Sequence, residues 1–313
     1  MASPPSTLTT GHAVRLAARS KALTGPTAGL APSYLQANLI VLPSQYAADF
    51  RLLCARNPVP CPLLAESSRP GAFRSLRSYV YPPDNTNAPS PSPRPLVLAK
   101  DIDLRTDAPA YRVFRDGHLV APTDTDPTDI TAAWHATDHV AFLIGCSFSF
   151  DAALHTAGLA PRHVAQNRNV PMYRAARTPL LPAGVFVGGV HVVSMRPYRA
   201  SEIERVRAVT RRFGAAHGEP LAWGWGAVQA LGIKDMQCPE WGDAPLTGGG
   251  SRVFGEGVEE DGEKYVPVFW GCGVTPQEAV VCANLSGTVM GHAPGCMVVL
   301  DVTDEEVFAV KGM

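Results

Sequence analysis

The chain has 313 residues, of which 46% are hydrophobic and 18% charged, so it can bury a sizeable core and is not a disordered protein. At about 150 residues per domain, this length indicates two domains or one large α/β domain with an insertion. The formal net charge of −1 argues against binding duplex nucleic acid, and no apolar run is long enough to span a bilayer.

The seven cysteines indicate reduced thiols rather than a disulfide framework, because their number is odd and no two have C-x-x-C spacing. The same spacing argues against a structural zinc site. We therefore expect neither a metal nor a cofactor.

The N-terminal segment contains no Asp or Glu in its first 48 residues but does contain Arg15, Arg19 and Lys21. This pattern predicts a helix beginning after Thr9 or Thr10. A mitochondrial transit peptide has similar features, and we favour an ordinary first helix.

Buried strands and helices follow in alternation. We predict that the run Tyr34–Leu42 ends in a strand and that a helix covers Ser44–Asn57. Further strands are predicted at Val140–Gly145, Val185–Met195, Val266–Phe269 and Met297–Asp301. Several of these strands are apolar on both faces, which is typical of an α/β sheet covered on both sides. Capping boxes at Ser201–Glu204, Thr275–Glu278 and Thr303–Glu306 predict three helix starts.

Two polar segments are predicted to be exposed loops, at residues 82–95 and 248–264. The first holds six prolines among Asn and Ser residues, and the second combines a triple glycine with an acidic run.

The first candidate site is the turn after the strand Val140–Gly145. Cys146, Ser147 and Ser149 lead into a helix that has Asp151 in its first turn. Free backbone N–H groups at such a helix start bind anions and lower the pKa of a neighbouring thiol. A buried cysteine with two capping serines is the alternative interpretation.

The second candidate site is the turn Trp270–Glu278, which contains Gly273, Thr275 and Glu278. Glycine lets a ligand approach the backbone closely. We expect this turn and the Cys146 turn to form one crevice at the carboxyl edge of the sheet. Neither turn has a phosphate-loop pattern, which favours an amino acid or a small dicarboxylate as ligand.

Arginines and one histidine complete the candidates. Arg is suited to bidentate recognition of carboxylates. Arg112 and Arg115 lie on opposite faces of a strand that ends in an Asp-Gly turn. Other candidates next to proline are Tyr173, Arg174 and Arg196. His292 stands in the Gly-His-Ala-Pro-Gly turn as an acid–base candidate.

Eight runs of sequence together resemble the hydro-lyase and D-glutamate cyclase family, from about Thr24 to Asp301. They are TAGLAPSYLQANLIVLP, CARNPVPCPLL, YRVFRDG, FLIGCSFSFDAAL, RNVPMYR, VVSMRP, PVFWGCGVTPQ and HAPGCMVV. The resemblance implies an α/β fold with a three-layer α/β/α domain and a smaller two-layer α+β domain inserted in the middle of the chain. We accordingly expect a discontinuous main domain at 1–145 and 222–313, and an inserted unit at 146–221.

The implied activity is the cyclisation of D-glutamate to 5-oxo-D-proline with loss of water. Arg196 or Arg115 would bind the carboxylate, backbone N–H groups of either turn would stabilise the oxyanion, and His292 would transfer the proton. Cys146 could instead form a thioester. We expect catalysis from His292, Cys146, Ser147 and Thr275, and substrate binding by Arg115, Arg196, Ser149, Tyr173, Arg174, Gly273 and Glu278.

Two other functions remain open at this stage. One is a non-catalytic binder of amino acids or oxoproline, or a subunit of an oxoproline-processing complex. The other is a hydro-lyase for a different small carboxylic acid. We expect a small-molecule partner, no nucleic acid and no membrane, with homo-oligomerisation left open. We favour the cytoplasm as location, with the mitochondrial matrix as the alternative.

Overall fold

The strand β1 (Tyr34–Pro43) is the centre of the larger of two sheets, and it is buried along almost its whole length. The computed structural model describes residues 8–83, 94–120, 126–260 and 262–308. The larger sheet also contains β2 (Leu63–Ser67), β3 (Leu76–Ser78), β4 (Tyr111–Arg115), β5 (His118–Leu119), β6 (His139–Gly145), β12 (Thr288–His292) and β13 (Val298–Thr303). Its strand order is β3-β2-β6-β1-β12-β4-β5, and β13 also pairs with β1.

The second sheet has the order β10-β11-β8-β7, with β9 paired to β11. Its strands are β7 (Met172–Pro179), β8 (Val190–Arg199), β9 (Ala222–Trp223), β10 (Glu259–Glu260) and β11 (Glu263–Gly271). This sheet therefore extends from Met172 to Gly271. The expected inserted unit at 146–221 stays a prediction.

Eight α-helices surround the sheets in the described part of the chain. They are α1 (Gly11–Arg19), α2 (Ala47–Arg56), α3 (Asp151–Thr156), α4 (Arg162–Ala165), α5 (Ile203–Thr210), α6 (Trp225–Leu231), α7 (Val274–Cys282) and α8 (Asp304–Phe308). The expected mixture of helix and sheet is confirmed. The carboxyl edge at which the two candidate turns were expected to meet implies parallel strands, and these are not observed: every pairing among the described residues is antiparallel.

The larger sheet buries both of its faces, as the apolar strands predicted. Along β1, Leu39 and Val41 belong to one apolar cluster, while Ile40 and Leu42 belong to another. Successive side chains of a strand point to opposite faces, so β1 contributes to both cores. The sheet is thus covered on each side by apolar side chains from other elements.

The first helix is an integral part of this fold. Thr10 caps α1, and Val14 is buried against the larger sheet. Arg15 is fully buried and pairs with Asp301 at 2.9 Å. The basic residues of this segment therefore have structural partners, which supports the interpretation as an ordinary first helix for residues 11–19.

Of the three predicted capping boxes, one forms as such. Glu306 N donates to Thr303 Oγ1 at 3.4 Å and Thr303 N donates to Glu306 Oε2 at 2.7 Å. The other two predicted caps are wrong: α5 is preceded by Glu202 and α7 by Gly273, with no side-chain cap at either.

The two predicted loops have different outcomes. Residues 84–93 of the first lie outside the described residues, as does residue 261 of the second. Within the second, Phe254 is fully buried and stacks on Trp225 at a centroid distance of 5.3 Å. The expectation that all of 248–264 is exposed is therefore wrong at Phe254, because its ring belongs to the core of the second sheet.

Candidate functional site

A cavity of about 210 Å³ lies where α7 and β7 face β4 and β12 of the larger sheet. We call it the inter-sheet cavity. Its polar lining consists of Arg112, Arg174, Gln277, Glu278 and His292. Two cations and one carboxylate on the wall of one cavity are the groups that an amino-acid ligand requires.

Arg174 and Glu278 form an ion pair on the wall of the inter-sheet cavity. Arg174 Nε and Nη2 donate to the two carboxylate oxygens of Glu278 at 2.6 and 3.0 Å. The guanidinium also lies 4.6 Å from the ring centroid of Trp241. The hydrogen bond to Glu278 raises the pKa of Arg174 further. This bidentate geometry fixes both side chains at the cavity wall.

Arg112, rather than Arg115, belongs to the inter-sheet cavity. The alternation of β4 brings Arg112 and Phe114 to the cavity, while Arg115 is exposed at the end of the strand. Arg112 Nε is buried without a hydrogen-bond acceptor among the described residues, and the nearest carboxylate, that of Asp126, is 3.6 Å away. The expectation that Arg115 belongs to the site is therefore corrected in one respect: Arg112, and not Arg115, lines this cavity.

His292 lies at the edge of the inter-sheet cavity but is only 1% exposed. Gln277 Nε2 donates to His292 Nδ1 at 2.6 Å and contacts the His292 carbonyl at 3.3 Å, which leaves the ring proton on Nε2. Burial lowers the pKa of His292 to about 3, although the Leu39 carbonyl acts in the opposite direction. The imidazole is therefore neutral at pH 6–7, which does not favour His292 as the group that transfers the proton.

The Cys146 turn is closed rather than open to a ligand. Cys146 is 5% exposed and its Sγ accepts from Phe148 N at 3.5 Å. Burial raises the pKa of the Cys146 thiol well above its usual value, so the expected lowering at a helix start is wrong. Ser149 Oγ is engaged with the backbone of Gln36, accepting from its N–H at 3.0 Å.

Arg196 is the centre of a buried polar cluster next to this turn. It is 1% exposed, and it donates to Asp151 Oδ1 from Nη2 at 2.9 Å and from Nε at 3.1 Å. Ser147 accepts from Nη2 at 3.2 Å. His163 Nε2 lies 3.2 Å from the other Asp151 oxygen. The guanidinium is therefore buried and bonded to protein groups, so it is not available to a carboxylate ligand.

Three further predicted site residues have internal partners. Thr275 is fully buried, and its Oγ1 both accepts from Val192 N at 2.9 Å and donates to Val192 O at 3.1 Å. Tyr173 is also buried and donates to the Met236 carbonyl at 2.7 Å. A Cβ on Gly273 would lie 1.7 Å from Asn38 Nδ2, so glycine is required there by packing.

The two candidate turns lie against each other. Cys146 and Cys272 belong to one apolar cluster, and Asn38 Nδ2 donates to the Gly145 carbonyl at 3.0 Å while its amide lies against Gly273. The backbone N–H groups of Ser149 and Thr275 bond the carbonyls of Cys146 and Cys272. These two N–H groups are therefore not free to form an oxyanion hole, and the expected shared crevice stays a prediction.

Comparison with known proteins identifies the family. The sequence profile described as D-glutamate cyclase matches residues 140–301. A protein of Rubrobacter xylanophilus named "Putative hydro-lyase" is 45% identical over 90% of this chain and 92% of its own length. The chain belongs to the D-glutamate cyclase family.

Other members of the family support the same assignment. A hydro-lyase-named protein of Bordetella pertussis is 44% identical over 96% of this chain and 92% of its own length. A hydro-lyase-named protein of Schizosaccharomyces pombe is 39% identical over 91% of this chain and 82% of its own length. Among solved structures, a nitrogen repressor-like protein of Methanococcus jannaschii aligns with 10% identity and a TM-score of 0.33, which is too low to compare folds.

The family match includes part of the inter-sheet cavity. Arg174, Glu278 and His292 lie within the matched residues 140–301, whereas Arg112 lies before them. Sequence reasoning missed Gln277 and Trp241 and preferred Arg115 to Arg112. The alternation of β4 left the choice between the two arginines open, because nothing in the sequence identified which face of the strand met the cavity. In the parts of the chain that the structure describes, no helix could cross a membrane.

Proposed function

We propose that the protein is a hydro-lyase that closes D-glutamate to 5-oxo-D-proline in the inter-sheet cavity. The observation that carries this proposal is the presence of Arg112, Arg174 and Glu278 on the wall of one cavity. Glutamate has two carboxylates and one ammonium group, and these match the charges of the three side chains one for one.

The roles of the three residues follow from their contacts. Arg174 is held by Glu278 through Nε and Nη2, so its remaining nitrogen faces a ligand carboxylate while Glu278 accepts a proton from the ammonium group. Arg112, which pairs with Asp126 at 3.6 Å and whose buried Nε makes no hydrogen bond to the described residues, binds the carboxyl group that reacts. A cation at this position stabilises the negative charge that develops on the carbonyl oxygen.

The reaction balances without any other reactant. The neutral amine attacks the side-chain carboxyl carbon, a C–N bond forms, and a C–O bond breaks. The ammonium group gives up two protons in all, and both leave on the departing oxygen as water. Glu278 carries these protons from nitrogen to oxygen, which takes the place of the role first expected of His292.

The test is mass-spectrometric detection of water loss from a panel of D- and L-amino acids and hydroxy acids. Glu278→Gln should lower turnover by about 10²-fold or more, because a general acid–base contributes ~10²–10⁴ in rate. Arg112→Met should weaken substrate binding, whereas Arg115→Met, on the exposed face of the same strand, should have no effect. Full turnover by Glu278→Gln would refute this mechanism.

A non-catalytic binder is favoured by one observation, namely that Arg174 and Glu278 already satisfy each other. In that case D-glutamate would raise the melting temperature without any release of water. Water loss from a hydroxy acid alone would instead indicate a different hydro-lyase substrate.

A further inference from the structure

A second cavity, with a volume of about 390 Å³, is lined by residues of the segment 29–36 and of the helices α3 and α4. We call it the α3–α4 cavity. None of its lining residues belongs to the inter-sheet cavity. Its volume lies in the range of roughly 300–1,000 Å³ that small-molecule sites occupy. The α3–α4 cavity is therefore large enough to hold a ligand of its own.

Most of the wall of the α3–α4 cavity is apolar. Leu30 and Tyr34 line it from the segment before β1 and from the first position of that strand, and Pro161 and Val164 line it from α4 and the residue before it. An apolar group that enters such a space leaves water, which is favourable in proportion to the area buried. The wall therefore suits a ligand with an aromatic or aliphatic body.

The backbone of the segment 29–36 is held in place by hydrogen bonds. Ala31 N donates to the Leu8 carbonyl at 3.0 Å, and the Ser33 carbonyl accepts from Asp304 N at 2.8 Å. Ala31 and Ser33 have φ values of 43° and 68°, in a region that residues other than glycine rarely adopt. Such backbone strain persists where surrounding contacts enforce it, as they do at ligand sites. This wall of the cavity is therefore formed before a ligand binds.

Asp151 supplies an unused hydrogen-bond acceptor to the α3–α4 cavity. It lines the cavity and is only 6% exposed. Its Oδ1 accepts both hydrogen bonds from Arg196, whereas its buried Oδ2 accepts none from the described residues. His163 Nε2 lies 3.2 Å from Oδ2 but not in hydrogen-bond geometry. A buried acceptor without a donor is unfavourable, so a ligand donor that reaches Oδ2 is bound.

The charges around Asp151 favour a neutral ligand over a cation. Arg196 already pairs with Asp151 at 2.9 Å. Burial lowers the pKa of His163, although Asp151 acts in the opposite direction, so this ring is neutral at pH 7. An ammonium group would therefore bring an uncompensated positive charge into a largely apolar space, which is costly. A neutral N–H group satisfies Oδ2 without that cost.

We propose that the α3–α4 cavity is a second ligand site, which binds a small neutral molecule with an apolar body and one N–H group that donates to Asp151 Oδ2. The apolar wall selects the body of the ligand, and Asp151 selects its donor. Because the two cavities share no lining residue, the proposal does not depend on the reaction assigned to the inter-sheet cavity.

The test compares indole with benzofuran by ligand-observed NMR titration of the full chain. The two probes have nearly the same shape, but benzofuran has an oxygen in place of the N–H group and is the more apolar of the two. Indole should bind about tenfold more tightly or better, because a hydrogen bond to a charged acceptor is lost with benzofuran. This pair of probes tests Asp151 without replacing it, and so without disturbing its ion pair.

Ala165→Phe tests the location of the bound probe. Ala165 is an exposed residue of α4 that lines the α3–α4 cavity, so the larger side chain occupies part of the space and should weaken indole binding roughly tenfold. Ala230→Phe makes the same exchange at an exposed alanine of α6 outside both cavities, and it should keep the wild-type Kd.

Three results would overturn the proposal. The first is the absence of saturable indole binding. The second is an equal affinity for indole and benzofuran, which would show that no donor is recognised. The third is an equal effect of Ala165→Phe and Ala230→Phe on the Kd of indole, which would place the probe outside the α3–α4 cavity.

Discussion

Replacing Asp151 by alanine should destabilise the protein by about 3–5 kcal/mol, the usual cost of removing one partner from a buried ion pair. Asp151 is 6% exposed and Arg196 1%, and two hydrogen bonds join them at 2.9 and 3.1 Å. Without Asp151 the guanidinium keeps only Ser147 and Ser194 at 3.2 and 3.3 Å, and the rings of Phe150 and Trp270. These neutral partners do not replace a buried carboxylate.

The assay is urea unfolding of the wild type, Asp151→Ala, Arg196→Met and the double variant. If the pair is structural, the double variant should recover part of the loss, because it leaves no charge unpaired. D-glutamate should still bind the folded Asp151→Ala protein, since neither residue lines the inter-sheet cavity. A loss below about 1 kcal/mol, as for an exposed ion pair, would refute this reasoning.

Three further predictions concern stability. Phe254→Ala should cost about 3–5 kcal/mol in free energy of unfolding, because it removes a fully buried ring. Gly273→Ala should be destabilising because its Cβ meets Asn38, whereas Gly226→Ala, with nothing within 4 Å in α6, should stabilise by roughly 0.5–1 kcal/mol. Stability should fall as the pH decreases below about 6.5, because the unfolded chain takes up protons at His217 and His292 that the folded protein, with pKa values of about 4 and about 3, does not.

Each of these three stability predictions has a control variant or a result that would contradict it. Val253→Ala, at a 41% exposed neighbour of Phe254, should change the urea midpoint little, and equal effects would show that the segment is not anchored by the ring. Equal melting temperatures for Gly273→Ala and Gly226→Ala would contradict the close approach of Asn38. Thermal unfolding between pH 7 and pH 4 should be less pH-dependent in a His217→Asn variant, and an unchanged slope would place the acid sensitivity elsewhere.

Two of the sequence patterns that depend only on neighbours along the chain were reliable. The Asp116–Gly117 turn joins β4 to β5 with φ values of 48° and 79°, as an Asp-Gly hairpin turn requires. The predicted strand Val140–Gly145 is observed as His139–Gly145. In each case the local pattern alone was sufficient.

Features that depend on distant partners were not predictable. Nothing in the sequence around Arg196 indicates that Asp151 neutralises it, and nothing around Thr275 shows that the strand at Val192 occupies its hydroxyl. The antiparallel direction of the strands was also missed, because a run that is apolar on both faces shows burial and not direction. Arg112 and Arg115 lie on opposite faces of β4, and the sequence did not show which of the two faces would meet the cavity.

The pairing of β1 has a consequence for how the chain folds during synthesis. One side of β1 pairs with β6, while the other side pairs with β12 and β13, which begin only at Thr288 and Val298. Because such distant contacts close large loops, folding of this sheet should be slow. On the ribosome, one edge of this buried strand stays open until nearly the whole chain has been translated, and during that time it is exposed to aggregation.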